Sequence, residues 1–156
     1  MSARQRLRDL GIELPGVVRP AGAYLPAVRT GSLVYTAGQV PIVDGKVAAT
    51  GKVGGDVSVE EAADLARICA LNALAAVHDL VGIDAVTRVV KVTGFVASAP
   101  GFGGQPKVVD GASAFLGEVF GDDGRHARSA VGVAELPLNV PVEVEIIVEV
   151  NGEVAG

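Results

Sequence analysis

The sequence predicts an α+β or α/β sandwich in which two helices lie against one mixed β-sheet. Three observations lead there. Val142, Val144, Ile146, Val148 and Val150 alternate with Glu143, Glu145, Ile147 and Glu149, the period of a strand with one buried face. From Ser58 to about Leu80, Ala and Leu dominate and the apolar residues recur at helical spacing. Along the chain the order is short strands, a long helix, a strand, a second helix and two strands.

Each element has a local reason. Ser2 can cap a short helix over residues 2–10, with Gln5 completing a capping box and Gly11 ending it. Pro15, Gly16, Pro20, Gly22 and Pro26 then punctuate a loop. Val34 to Ala37 is a short strand closed by Gly38, and Asp44-Gly45 turns a hairpin between Val40–Val43 and Val47–Ala49. In the long helix Ser58 and Glu61 make a second capping box, and Gly82 is the stop. Ala62, Leu65, Ala66, Cys69, Ala73, Ala76 and Val77 share its packed face, while Glu60, Glu61, Asp64, Arg67 and Asn72 leave a thin wet stripe. Val86 to Val96 is a β-branched strand, with Val89 and Phe95 on one side and Val90, Val92 and Val96 on the other. A second helix over Val108–Phe120 and strands at Ser129–Glu135 and Val142–Val150 follow. Apolar residues on both sides of the long strand, in a two-layer fold, point to another subunit as cover.

The 156 residues, 49% hydrophobic and 20% charged, read as a single globular domain over 1–156, with 1–20 an N-terminal helix and loop extension. A net charge of −5 opposes general attraction to phosphate backbones, so no nucleic-acid partner is expected. The single cysteine, Cys69, excludes an intrachain disulfide and suits a reducing compartment. Residues 1–8 are basic but lead into no long apolar stretch, and no uninterrupted run is long enough to span a bilayer. The expectation is a cytoplasmic protein with no membrane partner.

Most candidate chemistry falls away on inspection. Gly101-Phe102-Gly103-Gly104-Gln105-Pro106 fails the dinucleotide pattern because Pro106 stands where a third glycine is needed, and it reads as a flexible surface loop. His78 and His126 have no neighbouring ligand run, so no metal site is expected. His78 suits the end of a helix, and no elbow motif anchors Ser-His-Asp chemistry. The stretch Gly124-Arg125-His126-Ala127-Arg128-Ser129-Ala130-Val131-Gly132 remains. Extended, it puts His126 and Arg128 on one side, and the small residues Ala130 and Gly132 leave space beside a guanidinium that can grip a carboxylate. A solvated arginine beside Asp122 and Asp123 is the plainer reading. If the last two strands pair as a hairpin, Glu143 comes near Arg128, and the two could orient a ligand and move a proton; otherwise Glu143 belongs to the wet face of an edge strand.

Arg128-Ser129-Ala130-Val131-x-Val133-Ala134-x-Leu136-Pro137, with Val142-Glu143-Val144-Glu145, resembles the C-terminal signature of the RidA/YjgF family. Thr36-Ala37-Gly38-Gln39-Val40-Pro41 resembles its Gly-Gln block, and Gly22-Ala23-Tyr24 its Gly-x-Tyr segment. The longer N-terminus and Gln105-Pro106-Lys107 look like the branch labelled endoribonuclease L-PSP-like. The resemblance implies a chorismate-mutase-like α+β fold, a mixed sheet with two helices on one face, in a homotrimer with a central β-barrel and ligand pockets between subunits. It implies hydrolysis of reactive 2-enamine and 2-imine acids to a 2-keto acid and ammonia, as in 2-iminobutanoate/2-iminopropanoate deaminase, without metal or organic cofactor. Arg128 would hold the substrate carboxylate, Glu143 would position the attacking water and Tyr24 would line the pocket, with Ala37, Gly38, Ser129 and Ala130 around the substrate and His126 as an added donor. A pocket asparagine of the family falls on Asp110 or Ser113. The chain departs from the pattern at Ala37, where RidA has serine, and at Ala130, where many members have cysteine. Those losses also fit an alternative, a trimer that binds or senses a small carboxylate without turnover; ribonuclease action is a third reading, opposed by the acidic charge.

Overall fold

Two serines open helices as their positions predict. Ser2 accepts from the Gln5 N–H at 3.1 Å at the head of α1 (Ala3–Asp9), and Ser58 accepts from the Glu61 N–H at 3.1 Å at the head of α2 (Val59–Val81). Both boxes are only half made: the Gln5 side chain reaches forward to Asp9 at 2.8 Å, and Ser58 makes the one bond at the head of α2. In this computed structural model, which describes residues 1–152, a third helix, α3, runs from Gln105 to Phe120. It starts three residues earlier than the apolar pattern suggests, with Pro106 in its first turn, where a missing N–H costs no hydrogen bond. The expected flexible loop before it is pinned: Phe102 packs against the core, and the Gln105 amide donates to the Phe102 carbonyl at 2.8 Å and to Ser98 Oγ at 3.1 Å.

The strands are β1 (Ala27–Thr30), β2 (Leu33–Thr36), β3 (Ile42–Val43), β4 (Lys46–Val47), β5 (Val86–Ala97), β6 (Ala127–Val133) and β7 (Val142–Val150). The short β3–β4 hairpin turns at Asp44-Gly45, both at positive φ (50° and 77°) as its turn type demands. The remaining strands form a five-stranded sheet in the order β1-β2-β7-β5-β6, in which only β5 and β6 run parallel. This is the mixed α+β sheet expected. Strand β1 lies in the segment read as loop; it is four residues long and sits directly after Pro26.

Helices α2 and α3 cover one face. Val92, Val96, Val142, Val144, Ile146 and Val148 point up from the sheet into their buried faces. Gly111 lets the helices touch, since a Cβ there would overlap the Ala63 backbone carbonyl. Arg67 spans the crossing with two bonds of 3.1 Å to Glu118 and lies 4.7 Å above the Phe115 ring. Asn72 is not on the wet stripe: it is buried and donates to the carbonyls of Val40 and Ile42 at 3.1 and 3.0 Å, tying α2 to the segment leading into β3. Nor do the β5 side chains split as simple alternation predicts. A register shift between Val89 and Lys91 turns Val89 to the same face as Val92.

Candidate functional site

Strand β6 is an edge strand, and Arg128 is its second residue. Its row in the sheet runs Arg128–Val92–Ile146, so the side chain rises on the helix-covered face. There α3 presents Asp110 and Ser113, one turn apart. Nη1 of Arg128 donates to Asp110 Oδ1 at 2.7 Å and to Ser113 Oγ at 3.2 Å. Both positions left open for the family's pocket asparagine therefore meet the same guanidinium nitrogen. The Arg128 side chain is only 23% exposed, against 64% for Asp110, so the plainer reading of a solvated arginine beside Asp122 does not hold. Arg125 fits that description instead: it is exposed and 3.8 Å from Asp122.

His126 lies on the same side as Arg128, as the extended reading requires. Its Nδ1 is 2.6 Å from the Gly124 carbonyl and its Nε2 is 2.9 Å from Ser113 Oγ. A carbonyl only accepts, so Nδ1 carries the proton, and in the neutral ring Nε2 accepts from the serine hydroxyl. Burial pushes the imidazole below its ordinary range; the Gly124 bond works against that, and the nearby Arg128 cation adds to the lowering. Asp110, Ser113, Gly117, Gly124, His126 and Arg128 line an open pocket of about 360 Å³, with Arg125 at its mouth.

Glu143 is elsewhere. Strands β6 and β7 do not form a hairpin: β5 runs between them, which puts them about 10 Å apart across the sheet. The Glu143 row runs Val131–Phe95–Glu143, on the face opposite to Arg128. On that face Glu143 is partly buried, and its carboxyl is raised by burial first and by Glu145 second. Gly38 lies against it, and a Cβ on Gly38 would overlap the carboxylate. The following residue, Gln39, exchanges backbone bonds with Val144 at 2.8 and 3.0 Å, and the Ala37 N–H donates to the Pro26 carbonyl at 2.8 Å. Ala37 and Gly38 are thereby brought to Glu143, and exposed Tyr24 stands two residues before the Pro26 anchor. Ser129 is also on this face, accepting from Lys91 Nζ at 3.3 Å, whereas Ala130 faces the helices and packs against the core.

The chain thus holds two clusters, an arginine–imidazole pocket on the helix side of the edge strand and a glutamate–glycine group on the open face. The space expected beside Gly132 is filled by Gln105 and Ser98. Lys91 escaped the sequence reading although its signal was present, because alternation along β5 puts it with Thr93 on the open face. His78 lies in the last turn of α2, as expected, but as an acceptor rather than a cation: its Nδ1 accepts from the Ile83 N–H at 3.0 Å. Among the described residues no group of three or more His, Cys, Asp or Glu could hold a metal ion, and no helix is long and apolar enough to cross a membrane.

Comparison with known proteins joins these motifs to one family. The crystal structure of the protein Atu1372 "with unknown function" from Agrobacterium tumefaciens superposes with a TM-score of 0.88 at 44% identity, covering 97% of this chain and 94% of that one. Protein TCP17 of Trypanosoma cruzi is 43% identical over 147 residues, 93% of this chain and 92% of its own. A protein named 2-iminobutanoate/2-iminopropanoate deaminase from Dermatophagoides farinae is 34% identical over 140 residues, 90% of this chain and 95% of its own. The family model described as "YjgF/chorismate_mutase-like, putative endoribonuclease" matches residues 4–150. The chain belongs to the YjgF/chorismate mutase-like family, the RidA/YjgF group that its three sequence blocks resemble.

Proposed function

We propose that the protein is a RidA-type hydrolase of 2-enamine and 2-imine acids, working as a homotrimer whose sheets surround a central barrel. Arg128 holds the substrate carboxylate and Glu143 of a neighbouring copy positions the attacking water. The observation that carries this reading is the state of Arg128. It is three-quarters enclosed and fixed through Nη1 alone, so the rest of its fork is available to a carboxylate in the adjoining pocket. The raised carboxyl of Glu143 suits a group that takes up and returns a proton. The relative named as an iminobutanoate/iminopropanoate deaminase supports the substrate class. Tyr24, Ala37, Gly38 and Ser129 are assigned to the Glu143 half of the site, and Ala130 to the floor beneath Arg128.

A single copy keeps Arg128 and Glu143 on opposite faces, which favours a site assembled between copies. The open face also carries apolar side chains in contact with solvent: Val28 at 50%, Tyr35 at 43% and Val131 at 44% exposure. Release of ammonia and keto acid from freshly generated 2-aminoacrylate tests the proposal. Wild type should outrun Arg128→Ala by at least about 100-fold, the scale of losing a buried charge-assisted anchor; equal rates overturn it. One feature favours binding without turnover: Ala37 and Ala130 bring no polar side chain to the site. Thermal stabilisation by keto acids in the absence of product would establish that second reading.

A further inference from the structure

The Ser113–His126 contact has the geometry of an activated nucleophile, although the sequence holds no elbow motif. The base is 2.9 Å from the hydroxyl, and its other nitrogen is held by the Gly124 carbonyl at 2.6 Å, which sets the tautomer that leaves Nε2 free to take a proton. Ser113 Oγ also accepts from Arg128 Nη1 at 3.2 Å, so a cation stands beside the oxygen that gives up its proton. Gly117, one turn further along α3, also lines this opening, and a Cβ there would meet nothing within 4 Å. The hydroxyl thus opens on the 360 Å³ pocket with base, orienting group and a neighbouring cation already in place.

We propose that Ser113 and His126 form a nucleophile–base dyad that accepts small carboxylic esters, with the Arg128 guanidinium beside the nucleophile. Ser113 Oγ bonds to the acyl carbon while its proton passes to His126 Nε2. The bond from that carbon to the alkoxy oxygen breaks, and His126 returns the proton to the departing alcohol. Water then attacks the acyl-serine, His126 takes its proton, and the carboxylic acid leaves with Ser113 restored. This activity shares the pocket with the proposed imine site but requires neither imine hydrolysis nor Glu143.

The test is covalent labelling with a fluorophosphonate, in which Oγ displaces fluoride from phosphorus, together with hydrolysis of 4-nitrophenyl acetate. Wild type should gain one adduct per chain, mapped to the peptide holding Ser113. Ser113→Ala should remove it, and His126→Asn should slow labelling roughly 100-fold, the scale of a lost general base. Labelling should also slow as pH falls and His126 becomes protonated. Melting curves confirm that the variants are folded. An unlabelled wild type, an adduct that survives Ser113→Ala, or a His126→Asn rate equal to wild type overturns the dyad. Keto-acid release measured on the same samples separates the two readings: it can persist without labelling, and labelling can persist without it.

Discussion

Glu143 shows how the fold prices a charge. Its carboxyl is partly buried beside Gly38, and both burial and Glu145 disfavour ionisation, so its folded-state pKa lies above the unfolded one. For such a group the neutral form favours folding. That advantage is complete below the unfolded pKa and is lost as pH rises through the folded one. Glu143→Gln holds the neutral form at every pH. The variant should therefore melt higher than wild type at pH 7 and together with it at pH 4, while losing the proposed hydrolase activity at both. Equal melting temperatures at pH 7 would show that no ionisation penalty exists there. The same sheet row contains Phe95 and Val131, so the carboxylate has apolar neighbours along its row.

At the scale of elements, the tightest joint is the crossing of α2 and α3. Gly111 has no room for a methyl against the Ala63 carbonyl, and backbone cannot rotate away as a side chain could. Gly111→Ala should cost about 1–3 kcal/mol of stability by overpacking, seen as a lower denaturant midpoint with an unchanged slope. A neutral result would mean that the helices can separate freely. The tightness was not legible in the sequence, where Gly111 looks like any weak helix former. Strand β7 and helix α2 were legible to within a residue or so, because local patterning dictates them: alternation over nine residues in one, a serine cap and a glycine stop in the other. Strand β1 is too short for periodicity, and the β5 bulge displaces Val89 without leaving a mark in composition. The order of strands was hidden for a deeper reason. Alternation says which face a residue takes and nothing about which strand lies beside it, so a β6–β7 hairpin stays open in the sequence, while in the fold β5 parts them. The site was legible in its members and not in its partition. Arg128, His126 and Glu143 were each named, but their separation onto two faces depends on that order.

For the whole molecule the partition has a consequence that can be measured in mixtures. If each site takes Arg128 from one copy and Glu143 from another, as proposed, two inactive variants can rescue each other. Arg128→Ala chains retain a working Glu143, and Glu143→Gln chains retain a working Arg128. Denatured together in equal amounts and refolded, they assort at random. Each site then has an even chance of a working arginine and an even chance of a working glutamate, so about a quarter of wild-type activity returns. Had both groups come from one chain, every chain in the mixture would be defective and the activity would stay at the level of the single variants. Sedimentation of the refolded mixture supplies the control, since it must match wild type for the comparison to count. The opposite faces of Arg128 and Glu143 make the first outcome the expected one, because no side chain reaches through a sheet whose β5 residues between them, Val92 and Val96 among them, are fully buried.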